Sequence, residues 1–226
     1  MNIALLIIAT GNYHIFVNQF LESVERFFFK GFHVKIYLFT DKFDIYKTER
    51  INIDYINVPT LQFPYPTLYR YKWFSGINIK EDYIFYCDID MKFVDHVNSE
   101  ILSDLVVVKH PGFYMGGGSF ETNPRSRAYT PNGEIYVAGG FNGGRNKKYI
   151  SMIKELAKSI DEDERNSIMA IWHDESHLNR YINEKFQEGQ ELNILNPGYC
   201  YPENWNLPFK KKLLALQKNH NKIRAI

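Results

Sequence analysis

A run of seven apolar residues at positions 3–9, IALLIIA, constrains the fold more than any other feature of this sequence. An unbroken apolar stretch of this length predicts a buried strand. It is too short to cross a bilayer, and no basic segment precedes it as in a signal peptide. Gly11 ends the strand, and Phe16, Phe20 and Val24 then recur at the spacing of a helix. The sequence is therefore expected to begin with a buried strand and an amphipathic helix.

Segments with the patterns of strands and helices alternate through the first half of the chain. The first helix is expected to stop at Gly31. Further elements are expected at residues 33–41, 51–58 and 82–90 (strands), 59–66 (a proline-rich loop) and 67–77 (a helix). This order predicts an α/β fold with a mostly parallel, doubly wound sheet. In such sheets, ligands bind beyond the carboxyl ends of the strands.

The second half of the sequence is less regular. Residues 110–119 are rich in glycine, and paired glycines interrupt a predicted strand at residues 133–144, which indicates a bulge or the close approach of a ligand. Residues 146–163 and 174–187 have the pattern of amphipathic helices. After Glu203 the chain carries six basic and no acidic residues, which is typical of a solvated face but also of a lid that closes over phosphate.

Composition limits the class of protein. The 226 residues, 45% of them hydrophobic, fit one domain with a large core. The formal net charge of +1 gives no general attraction to nucleic acid or to an anionic membrane. The two cysteines suit a reducing compartment better than a disulfide scaffold. We therefore expect a soluble, cytoplasmic protein without a membrane span.

Two aspartates, Asp88 and Asp90, follow the predicted strand YIFYC. Two hard oxygen donors at this spacing suit Mg²⁺ or Mn²⁺ that also binds phosphate oxygens. A bare Asp-x-Asp is more often a turn cap beside an exposed side chain. The position at the carboxyl end of a central strand favours the metal site.

A second acidic pair, Asp174 and Glu175, lies in the segment IWHDESHLNRY. One interpretation is structural, with Asp174 as the N-cap of the following helix. Another is a zinc site at His173 and His177, although the glutamate is misplaced for the His-Glu-x-x-His pattern. A third is a carboxylate beside a sugar, where it stabilises or attacks an oxocarbenium-like centre, with Trp172 as an apolar wall.

Five segments in this order resemble glycosyltransferase family 6, which contains the histo-blood-group A and B transferases and α1,3-galactosyltransferase. They are CDIDMKFVDHV, HPGFY, YVAGGFNGG, IWHDESHLNRY and KNHNKIR. The segments ATGNY, FLESVERFF and YLFTD fit as well, so the resemblance spans residues 3–224. The family implies a GT-A fold and a retaining α1,3 transfer of galactose or N-acetylgalactosamine from a UDP-sugar. The implied acceptor is a glycan that ends in β-galactose, with or without fucose.

The resemblance also implies roles for individual residues. Asp88 and Asp90 would bind the metal, with Mn²⁺ as the usual ion and Mg²⁺ as a substitute. Glu175 would lie at the β face of the anomeric carbon, as a nucleophile or as the stabiliser of an ion pair. The implied donor-binding residues are Ala9, Thr10, Tyr13, Arg70, Ala138, Gly139, Gly140, His173, Asp174, Lys218 and Arg224. The implied acceptor-binding residues are His110, Trp172 and Glu203.

The resemblance further divides the chain by function. Residues 1–95 would form a nucleotide-binding half, residues 96–210 an acceptor and catalytic half, and residues 211–226 a basic lid, all within one catalytic domain. In the family the triplet at residues 138–140 lies against the C2 substituent of the sugar. Its small side chains favour UDP-N-acetylgalactosamine over UDP-galactose. The intact Asp-x-Asp predicts metal dependence, and the chain resembles a soluble microbial or viral form.

The sequence is also compatible with two other functions. The first is a catalytically silent protein that binds UDP-sugars or glycans, and the second is a metal-dependent nucleotidyl enzyme that releases pyrophosphate. The joint presence of Asp88, Asp90 and Glu175 speaks against the silent protein, because binding alone does not need a carboxylate at the anomeric centre.

Overall fold

A seven-stranded, mostly parallel sheet and a small three-stranded sheet organise the fold. They are seen in a computed structural model, which describes residues 1–43, 46 and 48–224. The strands are β1 (Asn2–Ala9), β2 (His33–Thr40), β3 (Ile51–Asn57), β4 (Tyr83–Cys87), β5 (Met91–Phe93), β6 (Val106–Lys109), β7 (Val137–Arg145), β8 (Asn193–Leu195), β9 (Tyr201–Pro202) and β10 (Leu213–Ala215). The α-helices are α1 (Val17–Phe27), α2 (Tyr65–Leu68), α3 (Arg70–Ser75), α4 (Asn146–Arg165), α5 (Asp174–Gln187) and α6 (His220–Ile223). Short 3₁₀ helices cover Gly11–Phe16, Ser99–Ile101 and Pro197–Tyr199.

The large sheet has the strand order β3-β2-β1-β4-β7-β6-β8. Strand β7 runs antiparallel to both of its neighbours, and the other pairs are parallel. The predicted mixed α/β fold with a mostly parallel sheet is therefore confirmed. Strand β7 departs from that pattern because a loop without an α-helix, rather than a helical crossover, leads from β6 into it.

Both faces of β1 are buried, which explains its unbroken apolar run. Ile3, Leu5 and Ile7 pack with α1 on one side of the sheet. Ala4 and Leu6 belong to the core on the other side, which contains buried residues of α3, α4 and α5. Successive side chains of a strand point to opposite faces, so an unbroken apolar run is expected where both faces are buried.

Two predicted helices end or break differently from expectation. Helix α1 stops at Phe27 rather than at Gly31, because Phe28 and Phe29 turn into the core, where both are fully buried. The helix expected at residues 67–77 is instead split at Tyr69 into α2 and α3. Within the described parts of the chain, every helix is too short or too polar to cross a membrane.

The C-terminal segment returns to the carboxyl end of β4. Strand β10 pairs antiparallel with β5, which begins directly after Asp90. The backbone N–H of Leu216 then donates to the carbonyl oxygen of Asp90 at 3.0 Å. This pairing brings the basic tail over the edge of the large sheet where β1 and β4 end.

Candidate active site

A cavity of about 310 Å³ opens beyond the carboxyl ends of β1 and β4. Its walls come from the loops after these strands, the proline-rich loop, the glycines of β7, the start of α5 and the C-terminal tail. This is the place where a mostly parallel sheet is expected to bind its ligand.

The paired aspartates lie in the turn between β4 and β5, on the cavity wall. The hydroxyl group of Tyr86, in β4, donates a hydrogen bond to Asp88 Oδ1. Arg70 Nη2 lies 3.4 Å from the same oxygen. Lys218 forms an ion pair with Asp90 Oδ2. Burial and the neighbouring Asp88 raise the pKa of Asp90, and Lys218 opposes the shift. Each carboxylate therefore already faces a cation of the protein itself.

The two carboxylates suit a divalent ion whose remaining coordination positions are filled by a bound substrate and water. Within residues 1–43, 46 and 48–224, no cluster of three His, Cys, Asp or Glu side chains forms a ready metal centre. Mg²⁺-like ions commonly take one or two protein carboxylates together with substrate phosphates and water. Asp88 and Asp90 match that arrangement, whereas the zinc alternative lacks its ligands, since His177 is buried against Ser159 at 2.7 Å.

Asp174 is a buried carboxylate without hydrogen-bond partners among the described residues. It is 1% exposed, and neither of its side-chain oxygens forms a hydrogen bond with the described residues. Arg70 Nε lies 3.0 Å from Oδ2 as an ion pair without hydrogen-bond alignment. Burial raises the pKa of Asp174 to about 7, although Arg70 opposes the shift. The capping interpretation is wrong, because His173 occupies the N-cap position and Asp174 is the first helical residue.

Glu175 is held from two directions. Its Oε1 accepts a hydrogen bond from the Tyr136 hydroxyl at 2.9 Å, and its Oε2 accepts one from the Gly139 N–H at 2.8 Å. Burial raises the pKa of Glu175, and these two donors oppose the shift. The carboxylate is thus fixed in orientation on the cavity wall, next to Asp174.

The paired glycines form a bulge, and the backbone N–H of Gly139 in this bulge is the group that binds Glu175. Opposite β6, the register jumps from Asn142 to Ala138, so Gly139 and Gly140 leave the ladder. Gly139 then donates to Glu175, and its carbonyl oxygen accepts from Arg70 Nη1 at 3.0 Å. A Cβ at Gly140 would lie 3.1 Å from Asp88 Oδ2. The glycine pair therefore forms the predicted bulge, which brings the backbone close to Glu175, Arg70 and Asp88.

Unpartnered buried polar atoms concentrate at this cavity. In the described parts of the chain, eight buried side-chain atoms lack a hydrogen-bond partner, and four of them belong to cavity residues: His173 Nδ1, both oxygens of Asp174, and Arg224 Nε. Most buried polar groups in native proteins are paired. His173 also has a φ of +53°, which is a strained backbone conformation for a residue other than glycine. Both features indicate a binding site for a polar ligand.

The tail closes one side of the cavity. Lys218 forms its ion pair with Asp90. The Arg224 guanidinium lies 3.5 Å from the ring centroid of Phe63, and Arg224 and Phe63 both line the cavity. The His173 ring packs edge-on against Phe63 from the α5 side, at 5.4 Å. Residues 225 and 226 of the expected lid lie outside the described residues.

The other residues implied by the resemblance occupy different positions around the cavity. Thr10 and Tyr13 line it, whereas the side chains of Ala9 and Ala138 are buried in the core. Trp172 is half-exposed on the cavity wall, and its indole N–H donates to Ser119 Oγ at 2.7 Å.

The other two residues implied in acceptor binding lie off the cavity wall. His110 packs against Tyr136 at 5.5 Å, one side chain away from Glu175. Glu203 is exposed, and its carboxylate accepts from the Gln217 N–H at 2.8 Å, which fixes the tail.

Tyr86 and Tyr136 contact the acidic residues of the site but were not predicted as site residues from the sequence. Tyr86 could have been found, because residues i and i+2 of a strand share a face and Tyr86 precedes Asp88 by two. Tyr136 gave a weaker signal, a single tyrosine before the glycine pair, and its contact with Glu175 spans 39 positions.

Comparisons with known proteins identify the family to which the chain belongs. The model of glycosyltransferase family 6 matches residues 1–57 and 72–225. The rat histo-blood group ABO system transferase 1 is 34% identical over 98% of this chain and 68% of its own length. The chicken globoside alpha-1,3-N-acetylgalactosaminyltransferase 1 is 30% identical over 99% of this chain and 69% of its own length. The O-antigen biosynthesis glycosyltransferase WbnI of Escherichia coli is 29% identical over 96% of this chain and 95% of its own length. This chain belongs to glycosyltransferase family 6.

Proposed function

We propose that this chain is a retaining α1,3-glycosyltransferase of the GT-A fold that moves N-acetylgalactosamine or galactose from a UDP-sugar to a glycan ending in β-galactose. The observation that carries the proposal is the adjacent pair of the buried Asp174 and the hydrogen-bonded Glu175 on the wall of a cavity that also holds Asp88 and Asp90. A carboxylate fixed by two hydrogen bonds, beside a second carboxylate that is ion-paired with Arg70 but not hydrogen-bonded, suits a sugar with a developing positive charge.

The diphosphate end of the donor would lie between the strand-end aspartates and the tail. Lys218 and Arg224 reach this wall, and Arg224 Nε is a buried donor without a partner among the described residues. Asp88 and Asp90 would hold Mn²⁺ or Mg²⁺. The bound ion would offset negative charge that develops on the phosphate oxygens. The uridine would occupy the side of the cavity formed by the loop after β1, where Thr10 and Tyr13 lie.

The sugar would lie over Asp174 and the glycine bulge. The oxygens of Asp174, which form no hydrogen bond with the described residues, can accept hydrogen bonds from sugar hydroxyl groups, and Arg70 opposes the rise in the pKa of this carboxyl group that burial causes. Gly139 and Gly140 line the cavity without side chains, which leaves the space beside the bulge to the donor sugar. This space favours N-acetylgalactosamine as the donor sugar, although one methyl group shifts such a preference only modestly. The name of the chicken relative specifies the same sugar.

Glu175 would act at the anomeric carbon C1. In a double displacement, Glu175 attacks C1 while the bond from C1 to the phosphate oxygen breaks, and its electron pair stays with the diphosphate. The acceptor oxygen then attacks C1, the bond to Glu175 breaks, and the hydroxyl proton passes to the diphosphate. In the front-face alternative, Glu175 stabilises the oxocarbenium-like centre without bonding to it. Both routes retain the configuration at C1.

The acceptor would approach from the side of Trp172 and His110. Trp172 offers a half-exposed ring at the cavity wall, and His110 lies behind Tyr136, near Glu175. Burial lowers the pKa of His110, so a neutral imidazole would meet the acceptor's hydroxyl groups. Glu203 would contribute from the turn that is bonded to the tail.

The decisive test is an assay of UDP release from UDP-N-acetylgalactosamine and UDP-galactose, with Mn²⁺ or with a chelator, and with or without a fucosylated β-galactoside. Release that needs the metal and increases with acceptor would support the proposal, and the faster donor would identify the sugar. UDP binding without release from either donor would instead favour a silent binding protein. Release of pyrophosphate would favour a nucleotidyl enzyme.

A further inference from the structure

Tyr136 lies at the junction between the catalytic wall and the glycine-rich loop. It immediately precedes β7 and is 2% exposed. Its hydroxyl donates to Glu175 Oε1 at 2.9 Å. This contact reaches the one carboxylate to which the proposed reaction assigns a role at C1.

The ring of Tyr136 is held rigidly by its neighbours. His110, Phe113 and Phe120 pack against it edge-on, with ring centroids 5.5, 4.9 and 5.2 Å away. Aromatic groups in such close contact restrict rotation of the side chain. The direction of the hydroxyl group is therefore set by packing and not only by its hydrogen bond.

Glu175 depends on few donors for its orientation. Gly139 N–H, at 2.8 Å, holds Oε2, and Tyr136 holds Oε1. With one donor on each oxygen, the plane of the carboxylate is fixed. Loss of the Tyr136 hydroxyl would leave the carboxylate tethered at one oxygen and free to rotate about that contact.

We infer that Tyr136 is a positioning residue, whose hydroxyl holds the Glu175 carboxylate in its reactive orientation and stabilises its charged form. This inference rests on the proposed function, because it concerns the carboxylate placed at the anomeric carbon. It predicts that removal of one oxygen atom changes the titration and the turnover of the enzyme without changing how the donor binds.

The charges around Glu175 set the direction of the expected change. The charged or titratable groups that face it are Arg70, Asp88, Tyr136, Asp174 and Cys200. Burial raises the pKa of Glu175, while the Tyr136 hydroxyl lowers it. Burial also raises the pKa of Tyr136, so its hydroxyl remains a donor at neutral pH. Removal of this donor should raise the pKa of Glu175 further.

The test compares Tyr136→Phe with Tyr37→Phe. Tyr37 is a matched control, because it is also buried and its hydroxyl also donates to a carboxylate, that of Glu81, at 2.9 Å. The protein is labelled with ¹³C at the glutamate carboxyl carbons, and Glu175→Gln assigns the resonance. Glutamate labelling excludes Asp174, which titrates in the same region.

The Glu175 resonance should titrate about one pH unit higher in Tyr136→Phe than in the wild type, and at an unchanged pH in Tyr37→Phe. The kcat should fall roughly tenfold or more at neutral pH, with the Kd for the UDP-sugar changed less than about twofold. An unchanged Glu175 titration in Tyr136→Phe would overturn the inference, as would a loss of donor affinity equal to the loss of turnover. If the wild type released no UDP at all, the proposed function would fail, and the titration would still decide whether Tyr136 acts on Glu175.

Discussion

The ammonium group of Lys218 forms an ion pair with the carboxylate of Asp90, so the C-terminal tail and the proposed metal site meet at one point. The two residues are 128 positions apart in the chain, and the pairing of β10 with β5 brings them together. A cation on Asp90 lowers the local negative charge where a divalent ion would bind. A nucleotide diphosphate would attract both cations, so we expect binding of nucleotide and metal to reinforce each other.

Lys218→Met tests the tail side of this arrangement. Loss of the ammonium group should weaken UDP binding in the presence of Mn²⁺ by about tenfold, the usual effect of a lost hydrogen bond to a charged group. Lys210→Met is the matched control, because Lys210 is exposed and pairs with Asp95 outside the cavity. Deletion of residues 217–226 should weaken binding further, since it also removes Arg224. Calorimetry that gives the wild-type Kd for Lys218→Met would refute the clamp.

Asp88→Asn and Asp90→Asn test the metal side. Each change removes one of the paired carboxylates, so Mn²⁺ should no longer stimulate UDP release. Mn²⁺ binding in the presence of UDP, followed by electron paramagnetic resonance, should weaken by at least roughly tenfold. Asp95→Asn removes a carboxylate bound to Lys210 and Lys212 and should leave both measurements unchanged. A wild-type response to Mn²⁺ in Asp88→Asn and Asp90→Asn would contradict the predicted metal dependence.

Asp174 should make the stability of the protein depend on pH. Its pKa is about 7 in the folded protein, against 3.8 for a free aspartate, because burial disfavours the charge. Between about pH 4 and pH 7 the folded protein therefore binds a proton that the unfolded chain has lost. The free energy of unfolding should accordingly fall as the pH rises through this window.

Asp174→Asn removes this contribution. Its free energy of unfolding, relative to that of the wild type, should increase between about pH 4 and pH 7, by roughly 4 kcal/mol at most. Urea unfolding at several pH values measures the difference. Asp54→Asn is the control, because Asp54 is half-exposed on β3 and pairs with Lys35 at 2.6 Å. A constant difference between Asp174→Asn and the wild type would show that Asp174 is ionised throughout.

Glu175→Gln should separate turnover from binding. Tyr136 and Gly139 both donate to the carboxylate, so the amide NH₂ of glutamine would face one of these donors. The charge at the anomeric carbon would be lost as well. We expect kcat to fall roughly 10²–10³-fold, with the Kd for UDP within about twofold of the wild-type value. Equal losses in kcat and in UDP affinity would argue against a role at the reacting carbon.

Local patterns in the sequence were sufficient for much of the fold. The apolar run of β1 and the periodicities of α4 and α5 identified these elements, because burial of one or both faces leaves a direct trace in the sequence. The carboxyl end of β4 could likewise be located from YIFYC, and the structure places the cavity there. The direction of β7 could not be predicted, since it depends on a connection without a helix.

The internal contacts of the site depend on distant parts of the chain. Arg70 joins Asp88, Asp174 and Gly139 from a helix whose pattern alone suggests an ordinary amphipathic element. Tyr136 reaches Glu175 only because β7 runs antiparallel and bulges at the glycines. Family resemblance assigned roles to Arg70 and to the glycines, but the physical reason for each, charge pairing and free backbone donors, became visible only in three dimensions.

Gly140→Ala tests the origin of donor choice. A Cβ at this position would lie 3.1 Å from Asp88 Oδ2 and 3.2 Å from Met91 Sδ, so the neighbours must give way by a few tenths of an ångström. The added methyl group would narrow the space proposed for the N-acetyl group. We expect the ratio of kcat/KM for UDP-N-acetylgalactosamine to that for UDP-galactose to fall by about tenfold.

Gly139→Ala is the matched control for this change. Its Cβ would meet Glu175 Oε2 at 3.5 Å and Asp174 Oδ2 at 3.6 Å, which are ordinary contacts. We expect this variant to leave the ratio for the two donors unchanged, because its methyl group would contact the two carboxylates and not the space for the C2 substituent. A ratio that shifts equally in the two variants would show that the bulge as a whole, and not Gly140, controls the choice of sugar.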